Sequence, residues 1–175
     1  MEFNNLKKFL ANVGDKIVKD ARDNLSAGDH HYTGRLSKSV KASVVETGGR
    51  ISLRIRGLKY GMALDQGFSG YLTKRDSDFT IKASKAKQSY IKGNTLYTPW
   101  QDIQRWVKAK GIGGKKWKSA AYLINRSLKM YGSKPTYWLQ RAKNKNIKSK
   151  SYRQGLKEAV MMDIKQHYRN LKYTR

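Results

Sequence analysis

Two alternating runs that meet at Gly48-Gly49 constrain this chain more than any other feature. Val40, Ala42 and Val44 alternate with Lys41 and Ser43. Beyond Thr47-Gly48-Gly49-Arg50, the residues Ile51, Leu53 and Ile55 alternate with Ser52, Arg54 and Arg56. A period of two residues marks a strand with one covered face. Two glycines between such runs supply the positive φ that a tight hairpin turn demands. The pattern predicts an antiparallel β-hairpin. Upstream, Thr33-Gly34-Arg35-Leu36-Ser37-Lys38-Ser39-Val40 predicts a short helical turn through Lys38, with the Thr33 hydroxyl as its cap. Downstream, Tyr60-Gly61-Met62-Ala63-Leu64-Asp65-Gln66-Gly67 reads as a short turn or helix on the sheet edge, and Gly67 and Gly70 mark sharp turns. This stretch is rich in turn chemistry and poor in catalytic chemistry, as befits a module that presents surfaces to neighbours.

Helical periodicity frames the hairpin. Phe3, Leu6, Phe9, Leu10, Val13, Ile17, Val18, Ala21 and Leu25 recur at three- and four-residue steps, so 2–26 is an amphipathic helix that Gly28 terminates. Short strands are expected within 79–84 and 89–96. Thr98-Pro99 then opens a helix whose stripe is Ile103, Trp106 and Val107, and Gly111-Ile112-Gly113-Gly114 ends it. A second helix from about Lys116 to Tyr131 turns Ala120, Leu123, Ile124, Ser127 and Leu128 inward, and Gly132 closes it. The two pack as a helical hairpin. A last helix, 152–171, aligns Leu156, Val160, Ile164, Tyr168 and Leu171 on one face. The expectation is an α+β fold with a long N-terminal helix, an antiparallel β-hairpin-based sheet, a helical hairpin insertion and a C-terminal helix. A chain of 175 residues suits a single domain over 1–175, with 71–132 inserted within it.

Charge is the second constraint. The net charge is +26, and between Ile103 and Lys157 sixteen Lys or Arg occur without one Asp or Glu. So long an acid-free span repels itself unless it faces polyanions or an acidic partner. Lys143, Lys145, Lys148 and Lys150, and the pair Lys115 and Lys116, are the candidate contacts to DNA or an acidic protein. The 143–150 run has only Ile147 as an apolar member, so it reads as a mobile basic loop or a segment ordered against a partner.

Several function classes fall away. No apolar run approaches the roughly 18 residues that span a bilayer, and the first residues lack the basic-then-apolar pattern of a signal peptide. With no cysteine there is no disulfide framework and no thiolate nucleophile. His30-His31 beside Asp29 offers imidazoles, but the chain's third histidine is the distant His167, and adjacent side chains diverge, so no metal site is assigned. Asp76 and Asp78 sit beside Lys74 and Arg75 in a polar stretch that reads as a solvated turn. The Gly111–Lys116 segment fails the phosphate-loop pattern, because Ala109 and Lys116 occupy the first Gly and the Ser/Thr positions. No nucleophile–base–acid set exists to build on. No catalytic, cofactor or metal residue is assigned. Trp100, Trp106, Trp117 and Trp138 lie among lysines as stacking residues do in single-strand binders, yet Trp106 and Trp138 have apolar neighbours and read as packing.

A family resemblance enters with these residues. An amphipathic helix ending in Ala21-x-x-Asn24-Leu25, then Thr33-Gly34-x-Leu36-x-x-Ser39-Val40, a hairpin, and Tyr60-Gly61 with Leu64-Asp65-x-Gly67 resembles the tail-completion (neck, or head–tail connector) proteins of tailed bacteriophages. Asp65 stands where the family has Glu. Pro135-Thr136-Tyr137-Trp138-Leu139-Gln140-Arg141-Ala142 and the last helix resemble the family's closing segment, and the 71–132 insertion is similar to that in neck proteins of crAss-like phages. The resemblance implies a non-enzymatic virion protein, made in the host cytoplasm and needing no cofactor or membrane. It implies a homo-oligomeric ring of about six or twelve copies, between a portal or adaptor ring above and tail proteins below, around the DNA channel. Thr33, Gly34, Leu36, Ser39, Tyr60, Asp65 and Gly67 would then be the turn and subunit-interface motif. The alternative from another class is a basic nucleic-acid-binding protein packaged with the genome.

Overall fold

The computed structural model describes residues 2–27, 34–73, 79–81, 94–96 and 100–173. Along them the chain runs α1 (Asn4–Ala27), α2 (Arg35–Ser39), β1 (Lys41–Thr47), β2 (Arg50–Arg56), α3 (Lys59–Gln66), β3 (Phe79–Ile81), β4 (Asn94–Leu96), α4 (Trp100–Ala109), a 3-10 turn (Gly114–Lys116), α5 (Trp117–Tyr131), α6 (Trp138–Ile147) and α7 (Lys150–Tyr173). This is the expected α+β class, mostly helical, with a two-stranded antiparallel sheet from β1 and β2. It divides into two compact units, Met1–Leu58 with Trp138–Arg175, and Lys59–Tyr137. The range 71–132 lies inside the second.

In the first unit every other element packs on α1, which is about 36 Å long at 1.5 Å per residue. Leu10, Val13, Gly14, Ile17, Val18, Ala21 and Leu25 form its buried stripe. Each large aliphatic side chain in that stripe contributes about 1.5–3 kcal/mol by leaving water. Gly14 lets the hairpin lie close: a Cβ there would sit 2.7 Å from Ala42 Cβ and 2.8 Å from Leu53 Cδ1. The register sets Ala42 opposite Ile55 and Val44 opposite Leu53, so these residues share the face toward α1. Gly48 and Gly49 take φ of +57° and +75°, as the tight turn requires.

Helix α7 runs antiparallel to α1 and holds its start. Asp163, only 2% exposed, accepts the backbone N–H groups of Asn5 and Leu6 at 2.9 Å each and the Asn5 amide at 2.8 Å. A helix start leaves four N–H groups without partners; here α7 supplies two of the missing acceptors. Burial pushes the Asp163 carboxyl up, but the hydrogen bonds from Asn5 and Leu6 outweigh it and hold the group below its ordinary value of 3.8. Farther along, Gly155 lets the Phe9 ring approach α7, where it meets Tyr152 at 5.6 Å between centroids.

Several local readings shift. The cap of α2 is Gly34 at φ +65°, with no side-chain hydrogen bond, so the cap falls one residue after the expected Thr33, which lies outside the described residues. On α7 the covered stripe includes Leu156, Ala159, Val160, Asp163 and Ile164, while Tyr168 and Leu171 are 68% and 52% exposed. Because Asp163 already meets the first turn of α1, the last turns of α7 run past that helix. Residues 143–150 are no loop. Lys143 and Lys145 belong to α6, and Ser149 caps α7 by accepting the Tyr152 N–H at 3.1 Å while its own hydroxyl donates to the Asn146 carbonyl at 2.9 Å.

In the second unit α4 and α5 pack as a helical hairpin around Ile103, Val107 and Ala121, flanked by Trp106, Ile112, Trp117, Ala120, Ile124 and Leu128. Helix α4 ends in a Schellman turn: the Ile112 N–H reaches the Val107 carbonyl at 3.0 Å, the Gly111 N–H reaches Lys108 at 3.2 Å, and Gly111 has φ +66°. Leu123 and Ser127, expected inward, are exposed, Leu123 by 60%. The stripe on α5 is centred on Ala121, Ile124 and Leu128, and Leu123 lies about 200° around the helix from Ala121. The expected strands appear as a short parallel pair, β3 with β4; the rest of both segments, and Thr98-Pro99, lie outside the described residues.

Two outcomes follow. Gly48→Val destabilises the chain by about 1–2 kcal/mol through its positive φ alone, since nothing lies within 4 Å of a Cβ there; thermal melting reads this, and an unchanged midpoint removes the turn from the account. Asp163→Ala costs about 1–3 kcal/mol near neutral pH, by loss of a cap and two stranded N–H groups. The wild-type contribution is present above the ordinary carboxylate value and is lost as pH falls through the lowered folded value, so the gap between the proteins is smaller in acid than at neutral pH. Denaturant titrations in acid and at neutral pH measure it.

Candidate polyanion interface

The residues of the two short motifs hold local structure. Leu36 is buried, and Ser39 ties α2 to the chain that leaves the hairpin: its hydroxyl donates to the Leu36 carbonyl at 2.7 Å and accepts the Leu58 N–H at 3.1 Å. Arg22 of α1 reaches the same corner, donating to the carbonyls of Ser37 at 3.1 Å and Val40 at 3.0 Å. In the second unit Asp65 is buried and Tyr60 is 50% exposed. The Leu64 carbonyl accepts the Thr136 hydroxyl at 2.8 Å, and the Asp65 carbonyl accepts the Tyr137 N–H at 3.0 Å. These bonds satisfy two of the open C-terminal carbonyls of α3 and join the two ends of the unit. Gly67, at φ +74°, lies so near the segment before Thr136 that a Cβ would sit 2.6 Å from the Ser133 carbonyl oxygen.

The candidate cations divide between the units. Lys143, Lys148 and Lys150 are exposed on α6, the following turn and the start of α7, with Arg153 and Lys157 exposed further along. Lys145 is engaged: its ammonium meets the Asp20 carboxylate at 2.8 Å, and the Asn146 amide donates to the other carboxylate oxygen at 2.6 Å. Hydrogen bonds from Lys145 and then Asn146 hold the Asp20 carboxyl below its ordinary value. In the second unit Lys115 and Lys116 are exposed in the 3-10 turn. Beside them the half-buried Trp117 ring has Lys108 and Lys118 at 5.9 and 5.7 Å from its centroid.

No protein-family model, no curated protein and no solved structure matches this chain. Function therefore rests on the surfaces themselves. Trp138, 4% exposed, and Trp106, in the α4–α5 core, serve packing as expected. The residues 28–33 and 74–78, which include His30, His31, Asp76 and Asp78, lie outside the described residues.

One basic surface escaped the sequence reading, because attention to acid-free runs favours the second half of the chain. Lys41, Arg50, Arg54 and Arg56 are all exposed on the hairpin. The signal was present as the polar half of the same alternation that predicts the strands. For the engaged lysine, Lys145→Ala lowers stability by less than about 1 kcal/mol, and the loss shrinks toward about 1 M salt, because the lysine is largely exposed. Paired denaturant melts at low and high salt check it.

Proposed function

We infer that this chain is a non-catalytic structural subunit of a tailed-phage neck, assembling into a ring that joins the portal side of the capsid to the tail around the DNA channel. The observation that carries the reading is the end of α7. Its apolar stripe continues past α1 to Tyr168 and Leu171, both mostly exposed, with Met161 and Met162 exposed nearby. One chain covers none of these side chains fully, and apolar surface of this kind marks contact between subunits. Repeated head-to-tail contacts close into a ring when the rotation per copy divides a full turn. The order of short motifs from Ala21 to Gly67 supports the phage assignment, and the exposed lysines suit a site beside DNA or acidic neighbours.

A packaged nucleic-acid-binding protein is the second reading, favoured by the sixteen cations without an acid between Ile103 and Lys157. Copy number separates the two. Quantitative mass spectrometry of purified particles against the portal protein is expected to give a fixed count of about six or twelve. A large or variable count supports the packaged protein, and absence from particles ends the neck reading. Tyr168→Asp with Leu171→Asp is expected to abolish incorporation into particles while leaving the melting temperature of the isolated chain within about 2 °C, as for exposed positions.

A further inference from the structure

The hairpin has two unlike faces. The inner face packs on α1 through Ala42 and Leu53. The register assigns the outer one: Lys41 opposite Arg56, Ser43 opposite Arg54, Val45 opposite Ser52, and Thr47 opposite Arg50. Four cations share this face with no acid. Among the described residues none of these four side chains has an ion-pair or hydrogen-bond partner, whereas the hairpin's Glu46 lies in the inner register and is held by Lys7 at 2.6 Å.

This arrangement works against the isolated chain. Directly opposed residues of an antiparallel pair have Cβ atoms about 4.5–5.5 Å apart, and like charges there repel. Lys41 and Arg56 are such a pair. An anion placed over the face removes the penalty and gains the charge.

The chemistry of the face selects the anion. Its eight residues include one apolar side chain, the half-buried Val45, and no aromatic. Protein interfaces set their Arg contacts around a desolvated centre of apolar and aromatic anchors, and this face has the Arg without the anchors. Single-stranded nucleic acid is gripped by stacking on aromatic rings. A membrane surface takes apolar side chains into its acyl boundary. Duplex DNA asks for none of these. It presents a dense, regular array of phosphates, and its major groove, about 12 Å wide, admits a two-stranded β-ribbon. Arg54 and Arg56, two residues apart on one strand, are spaced by about 7 Å. With Lys41 across from Arg56 and Arg50 beside the open glycine turn, cations run along the whole ribbon.

We propose that the outer face of the β1–β2 hairpin binds double-stranded DNA through its phosphates, with Arg50, Arg54, Arg56 and Lys41 as the contacts. The proposal does not rest on the ring: a chain that forms no ring binds duplex by this face all the same. It also shifts the expected DNA contacts from the lysines of α6 and α7 to the hairpin.

The test is fluorescence anisotropy of the full chain with a mixed-sequence duplex of about 30 base pairs, across a salt series. Arg50→Gln/Arg54→Gln/Arg56→Gln is compared with the charge-matched Lys143→Gln/Lys148→Gln/Lys150→Gln, and melting curves confirm that both fold. Each lost phosphate contact removes a factor of about fivefold at about 0.15 M salt, from a slope of about −0.9 per contact. The hairpin triple is therefore expected to weaken binding about 100-fold and to flatten the log–log salt slope by about 2.7, with the lysine triple changing affinity less than about fivefold. A matching single strand is expected to bind more weakly than the duplex. Equal losses from both triples reduce the effect to overall charge and overturn the proposal. So does wild-type affinity in the hairpin triple, failure of the wild type to bind duplex, or tighter binding of the single strand. Hairpin-dependent binding of polyglutamate in preference to duplex overturns it in favour of an acidic protein partner.

Discussion

The buried Asp163 carboxylate is the interaction on which the first unit most depends. It joins residues 158 positions apart in the chain and supplies acceptors for the start of α1. Helix α1 in turn is the surface on which the hairpin, α6 and α7 all pack. An uncompensated carboxylate in such a place would be expelled or protonated. Three N–H donors from Asn5 and Leu6 make it stable as an anion and set the register of α7 against α1. The close approach at Gly155 and Phe9 lies farther along the same helix pair. Shifting α7 by one turn, about 5.4 Å, would lose both at once.

The short motifs around Ser39 and Asp65 act here as fasteners. Ser39 binds the end of α2 to the chain leaving the hairpin, while Leu64, Asp65 and Gly67 seat the segment that closes the second unit. Such fasteners allow a long segment to be inserted, because its ends are already tied and added length costs little closure entropy. The surfaces proposed for partners use other residues, the exposed cations and the overhanging end of α7. A chain with 38 Lys and Arg against 12 Asp and Glu needs its few acids for structure. Asp163, Asp20 and Glu46 are all engaged in that way.

Much of the architecture was legible from periodicity. The stripe from Leu6 to Leu25, the Gly48-Gly49 turn, the glycine stop after Lys110 and the closing Gly132 each depend on neighbours a few residues away, so a local pattern suffices to see them. The candidate site was legible only in part. The acid-free run marked Lys143 to Lys150 as exposed cations, yet Lys145 finds a carboxylate on a distant helix, and the basic face of the hairpin was hidden inside an alternation read for its apolar half.

The sequence by itself determined the long first and last helices, the hairpin, the α4–α5 pair with its glycine stops, and a strongly basic surface, while α6 went unread as a helix. Backbone preference, side-chain period and formal charge are local properties, and they need no partner to be expressed. The tertiary structure alone decided which side of α5 is covered, leaving Leu123 outside, and how far α7 overhangs α1, leaving Tyr168 and Leu171 exposed. It alone placed Asp163 at a helix start. These outcomes depend on the rotation and offset of one element against another. Close packing fixes that geometry only when both surfaces are present.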